Sequence, residues 1–142
     1  MNFTTAQRQL IAAGAILFLL GLLQGAVVQS FANPRMALSA HLTAVQSGMA
    51  LMIAGLAWHA ASLSQSAAAA AKWTIVVGMF GLWMGLTMSA ATGASNSLPI
   101  AGANHSADHT TETLVSVIVL GSSALMTLGW ILFVAGILRA KR

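Results

Sequence analysis

The sequence predicts an all-α membrane protein, a bundle of four helices, and three observations carry that prediction. Hydrophobic residues make up 58% of the chain, charged residues 6%, and the mean hydropathy is +0.84, too little polar surface for a water-soluble domain of 142 residues. Four long apolar stretches recur, each near the roughly 20 residues that cross a ~30 Å hydrocarbon core. Polar or Ser/Ala-rich connections separate them, with no internal repeat and no domain boundary. The absence of cysteine excludes disulfides and thiolate ligation of metal or haem. Six Lys and Arg against two Asp and Glu give a net charge of +4, too sparse for a nucleic-acid surface.

The expected spans are about 10–30, 35–60, 72–92 and 112–138, within one transmembrane domain 1–142. A short polar leader ends at Arg8, and Leu10 to Val28 is then almost unbroken apolar sequence. This is longer than the ~7–15 apolar residues of a cleaved signal peptide and lacks a convincing small-residue cleavage site, so it reads as the first span. Gly14, Gly21 and Gly25 share a face suited to close helix packing. Gln24, between the last two, needs a hydrogen-bond partner on another helix.

Asn33 followed by Pro34 is an N-cap with proline at the first helical position, where the missing N–H costs nothing. The second helix therefore starts near Pro34 and runs to about Trp58, with Trp58 and His59 expected at the interface. Ser62 to Ala71 reads as a low-complexity turn whose alanines also suit a helix. A third helix follows from Lys72 or Trp73, with Gly81 and Gly85 as a second small-residue pair. The polar stretch Thr92 to Thr111 is a loop, and the fourth helix runs from near Glu112 to Leu138. Four spans put both termini on one side. Arg8, Lys72, Arg139, Lys141 and Arg142 share that side, so the positive-inside rule makes both termini cytoplasmic, in a cell inner membrane.

An ionisable residue inside a span is costly and marks a candidate site. His41 is the one that is clearly intramembrane, about 10 Å into the second helix at 1.5 Å per residue. Such an imidazole either hydrogen-bonds a neighbouring helix or ligates metal or haem, and the residues alone leave both open. Asn33 serves as a cap, Arg35 as an interfacial anchor, Gln46 and Ser47 as cross-helix partners, and Glu112 as a first-turn carboxylate favoured by the macrodipole. Each is also a candidate pocket residue. His105 and His109 suit a metal only if that stretch is helical. Small four-helix multidrug exporters resemble this chain in size but rely on a carboxylate in their first span, which carries no charge here. A four-helix electron-transfer cytochrome needs two intramembrane histidines per haem. A single axial histidine leaves a coordination site open for chemistry instead.

The run Asn33-Pro34-Arg35-Met36, then Leu38-Ser39-Ala40-His41-Leu42, resembles the signature of the hydroxylaminobenzene mutase family. The similarity continues through Gly48, Trp73, Gly78, Trp83, Leu98-Pro99-Ile100-Ala101, His105 and Glu112-x-Leu114-Val115. More distantly the pattern is similar to styrene oxide isomerase, a four-helix membrane enzyme that assembles as a homotrimer with haem b between subunits. The resemblance implies an isomerase that converts hydroxylaminobenzene to 2-aminophenol, or alternatively an aryl epoxide to an aldehyde. It implies His41 as the axial ligand of a ferric haem b acting as a Lewis acid, Arg35 as a cofactor contact, and Asn33, Ser39, Gln46, Ser47 and Glu112 as pocket residues. The chain departs from the family pattern at Thr43 and Ser47 and near Val77, Phe80 and Leu82, and it has no tyrosine. A protein that keeps the bundle without the chemistry is the third reading.

Overall fold

The computed structural model describes residues 3–140; Lys141 and Arg142, counted above in the charge asymmetry, lie outside the described residues. Four long helices form, α1 Thr5–Ala26, α2 Pro34–Ala57, α3 Gln65–Thr92 and α4 His109–Arg139, with 3-10 turns at Val28–Ser30 and Trp58–Ala60. All four are long and apolar enough to cross a membrane. At 1.5 Å per residue the 22 residues of α1 reach about 33 Å, enough for the hydrocarbon core.

Capping chemistry decides where the helices begin. α1 starts inside the expected polar leader, because Thr4 accepts from the Gln7 backbone N–H while the Gln7 side chain accepts from the Thr4 N–H. This is a capping box, which satisfies amides that helix geometry leaves free. α3 begins at Gln65, ahead of the expected Lys72, because Ser64 caps it and the alanine run that follows is strongly helix-forming. α4 begins at His109, capped by Asp108, which accepts from the Thr110 and Thr111 amides and from the Thr111 hydroxyl. The Asn33 cap on Met36 is where the sequence places it.

The helices pack as two antiparallel hairpins, α1 on α2 and α3 on α4, joined where α2 meets α3. Close approach sets the first seam. A Cβ on Gly48 would stand 2.6 Å from the Phe18 backbone N and 2.7 Å from the Gly14 carbonyl, closer than any side chain permits. Gly78 plays the same part between α3 and α4, against the Met126 backbone. The small-residue faces read from the sequence are therefore spent inside the chain. The central core gathers Leu17, Leu51, Ile75, Met79 and Phe133 from all four helices. Trp58 belongs to this core and not to the interface, since it is buried and stacks on Phe133 at 5.2 Å. His59 beside it is exposed.

The loop between α3 and α4 closes the end of the bundle where α2 and α4 begin. Gly93 ends α3 in the left-handed conformation, φ 83°, which only glycine adopts without strain. Both oxygens of the Glu112 carboxylate then accept backbone N–H groups from the loop, those of Ser95, Asn96 and Ala107 at 2.9–3.1 Å. The Asn33 side chain ties the same loop down by donating to the Ala101 carbonyl.

Two outcomes follow from this packing. Gly48→Ala forces α1 and α2 apart and lowers stability by about 1–3 kcal/mol, the usual cost of overpacking, measured by unfolding in mixed detergent micelles. The Asp108 carboxyl sits below its ordinary range, chiefly because the Thr111 hydroxyl donates to its charged form. Its cap is therefore fully present above the ordinary carboxylate pKa and is lost as pH falls through the depressed value, so amide exchange at Thr110 and Thr111 accelerates only under strong acid.

Candidate active site

The candidate site is built from the end of α1 and the start of α2. The Asn33 cap and Pro34 set the register of α2, and seven residues on, His41 points at α1. Its Nδ1 lies 2.7 Å from the Gly21 carbonyl oxygen. A carbonyl only accepts, so Nδ1 carries the proton, and in the neutral ring Nε2 keeps its lone pair. Among the described residues Nε2 has no hydrogen-bond partner, and it is not sealed in the interior. Gly25 makes the room for this ring: a Cβ there would stand 2.8 Å from both Cε1 and Nδ1 of His41.

His41 lines an open groove of about 460 Å³ with Gly25, Val28, Pro34, Arg35 and Leu38. The walls are mostly apolar, and exposed Arg35 supplies a cation at the end where α2 begins. A half-buried imidazole with a free Nε2, a fixed tautomer and a nearby guanidinium is a donor set that fits an axial metal or haem ligand with an anionic group beside it. No cluster of three or more His, Cys, Asp or Glu stands ready for a bare metal ion among the described residues. His105 lies in the loop and not on a helix, so it does not pair with His109 on one helical face.

The remaining sequence candidates divide by position. Asn33 is 1% exposed, and both ends of its amide are engaged, in the α2 cap and at the loop carbonyl. Ser39 is half-buried and donates to the Arg35 carbonyl one turn back. Ser47 is buried on the packed face of α2, whereas Gln46 next to it is exposed at mid-helix. Glu112 is bound up in the loop clasp and borders a second groove with His109, Thr113 and Ser116, at the same end of the bundle as His41 but on α4. Within one chain, then, the structure brings Arg35 and His41 together and leaves Glu112 apart. Thr43, Ser47, Val77, Phe80 and Leu82, the positions at or near which the resemblance implies other residues, are absent from the lining of the His41 groove.

Sequence reasoning missed the α1 side of this site. Gly21 and Gly25 read as packing residues, but one supplies the carbonyl that orients His41 and the other the space for its ring. Gln24 finds the expected partners on α3: its carbonyl accepts from the Trp83 indole N–H at 2.7 Å, and its amide donates to the Thr87 hydroxyl at 3.0 Å.

Comparison with known proteins places these residues in context. Hydroxylaminobenzene mutase HabA of Ectopseudomonas oleovorans is 35% identical over 134 residues, covering 94% of this chain and 99% of that protein. Hydroxylaminobenzene mutase HabB of the same organism is 37% identical over 120 residues, 84% of this chain and 73% of that protein. No solved structure matches the chain. The styrene oxide isomerase family model matches residues 6–138, all four helices included, and the chain belongs to that family of membrane isomerases and mutases.

Proposed function

We propose that this protein is a membrane isomerase that moves a hydroxyl group within an arylhydroxylamine, converting hydroxylaminobenzene to 2-aminophenol with ferric haem b as cofactor. The observation that carries the reading is the His41 ring. Its tautomer is held by the Gly21 carbonyl, and its other nitrogen is free beside a groove. The named mutases that share most of this chain supply the substrate class. When bound, the haem supplies Lewis-acid pull on a substrate oxygen and needs no external electron donor.

The chain's own residues do the rest. His41 would hold the cofactor through Nε2, and the Gly21 carbonyl, by accepting from Nδ1–H, fixes the plane of the ring and turns Nε2 toward the groove. Arg35, at the end of the groove where α2 begins, would pair with a carboxylate of the cofactor. The apolar walls, Val28 and Leu38 among them, keep water from an electron-poor aromatic ring while the hydroxyl leaves nitrogen and returns to the ortho carbon. Substrate and product have the same composition: nitrogen is reduced as the ring carbon is oxidised, and the displaced ring proton restores the amine. Asn33 and Glu112 act on the site by holding the loop over this end of the bundle.

The groove is open on the outer surface of the chain, and Gln46 presents an amide outward at mid-span, where lipid offers it no partner. Both features favour assembly, and a homotrimer lets neighbouring copies close the groove and engage Gln46 and Ser39, whereas Ser47 stays inside the chain's own packing. Arg8, Lys72 and Arg139 at one end of the bundle favour an inner-membrane protein with cytoplasmic termini. The family model's description favours a second substrate, an aryl epoxide, for which the same oxygen polarisation leads through a hydride shift to the aldehyde.

Detergent-purified protein is expected to show a strong Soret band and to turn over phenylhydroxylamine, and His41→Ala at matched haem supply is expected to lose both. Equal turnover by His41→Ala overturns the role given to iron. Haem-replete protein inactive on arylhydroxylamines and aryl epoxides alike overturns the enzymatic reading. Gly25→Ala, which sets a methyl group against the His41 ring, is expected to weaken haem retention about 10–100-fold, the range seen when partners of a metal ligand are disturbed.

A further inference from the structure

The segment of α1 that cradles His41 is held in place by a buried polar bridge to a third helix. Gly21 supplies the carbonyl for Nδ1 and Gly25 abuts the ring, so one turn of α1 sets both the proton position and the orientation of the imidazole. Gln24 lies inside that turn and is only 6% exposed. It points away from the groove, to α3, where the Trp83 indole N–H donates to its carbonyl and its amide donates to the Thr87 hydroxyl. The Thr87 hydroxyl in turn donates to the Trp83 carbonyl, so each of the three side chains has a partner in the bridge.

The main packing of α1 is against α2; its contact with α3 is slight. A glycine-lined contact between two apolar helices is held by dispersion, which is non-directional, so it sets the distance between them more firmly than the rotation of one about its own axis. His41 does not tolerate that motion. A rotation of α1 withdraws the Gly21 carbonyl from Nδ1. Two directional hydrogen bonds to α3, in a medium with no water to replace them, fix this coordinate.

We infer that Gln24 is a positioning residue for His41: with Trp83 and Thr87 it locks the Gly21–Gly25 turn of α1, so that His41 is held as the Nδ1–H tautomer with Nε2 free. The inference rests on the proposed role of His41 as ligand only for its functional consequence; the tautomer itself is a property of the chain without cofactor.

The test uses full-length protein with ¹⁵N-labelled histidine, prepared free of haem, and reads the His41 ring nitrogens by NMR, assigned by their absence in His41→Asn. Gln24→Leu keeps the size of the side chain without its polar atoms, and Trp83→Phe removes the N–H while leaving an aromatic ring. Wild type is expected to show the Nδ1–H form alone, and both variants a mixture of the two tautomers. Thr87→Ser, which keeps the hydroxyl, is expected to retain the wild-type pattern. Added haem is expected to bind the two disrupted variants about 10–100-fold more weakly. If either variant folds with the Nδ1–H form intact and takes up haem like wild type, the positioning role is wrong and the bridge is only a packing device. Should Gln24→Leu fail to fold, Trp83→Phe decides the matter alone. A wild type that binds no haem overturns the ligand role of His41 and leaves the tautomer comparison to judge Gln24.

Discussion

A lipid bilayer offers polar groups no hydrogen bonds, and that constraint organises this structure more than any apolar contact does. Apolar side chains gain little by choosing protein over lipid, so helices associate through close backbone approach and through polar groups that must find partners within the chain. The Gly14–Gly48 crossing serves the first need. The Gln24 bridge to Trp83 and Thr87, the Asn33 tie to Ala101 and the Glu112 clasp on the loop serve the second. His41 obeys the same rule, yet its bond to Gly21 satisfies one ring nitrogen and leaves the other. That incomplete satisfaction separates a candidate ligand from a residue that merely packs.

The polar groups also show a division of labour. At the end where α2 and α4 begin, Asn33 and Glu112 bind backbone and hold the loop, while Arg35 stands at the mouth of the groove. A residue can thus belong to a family signature for reasons of shape. The amide of Asn33 has both of its functional ends engaged structurally, one in the cap that starts α2 and one at the loop carbonyl of Ala101.

Much of this was legible in the residues. Hydropathy alone marks four spans, because crossing a membrane demands long uninterrupted apolar runs, and the Asn33-Pro34 start of α2 follows from local capping chemistry. Helix starts were harder. The Thr4/Gln7 capping box and the Ser64 cap are written in the sequence, yet polarity disguised the flanking turns as leader and linker. The position of Trp58 near a span end suits an interfacial anchor, whereas the stacking partner that buries it, Phe133, lies on α4 and is invisible to local reasoning.

What the sequence by itself determined is therefore the class of the protein: an all-helical membrane chain with one imidazole, that of His41, well inside a candidate span and others only near span ends, since composition and spacing fix those properties residue by residue. What only the tertiary structure decided is the state of that imidazole. Whether His41 spends one nitrogen or both on neighbouring helices depends on which carbonyl α1 brings within 2.7 Å and on the room that Gly25 leaves. Those quantities are set by the relative rotation and slide of two helices and by a polar bridge to a third. Such a coordinate belongs to no single segment, and for that reason Gln24, Trp83 and Thr87 reveal their bearing on the site only when the helices are assembled.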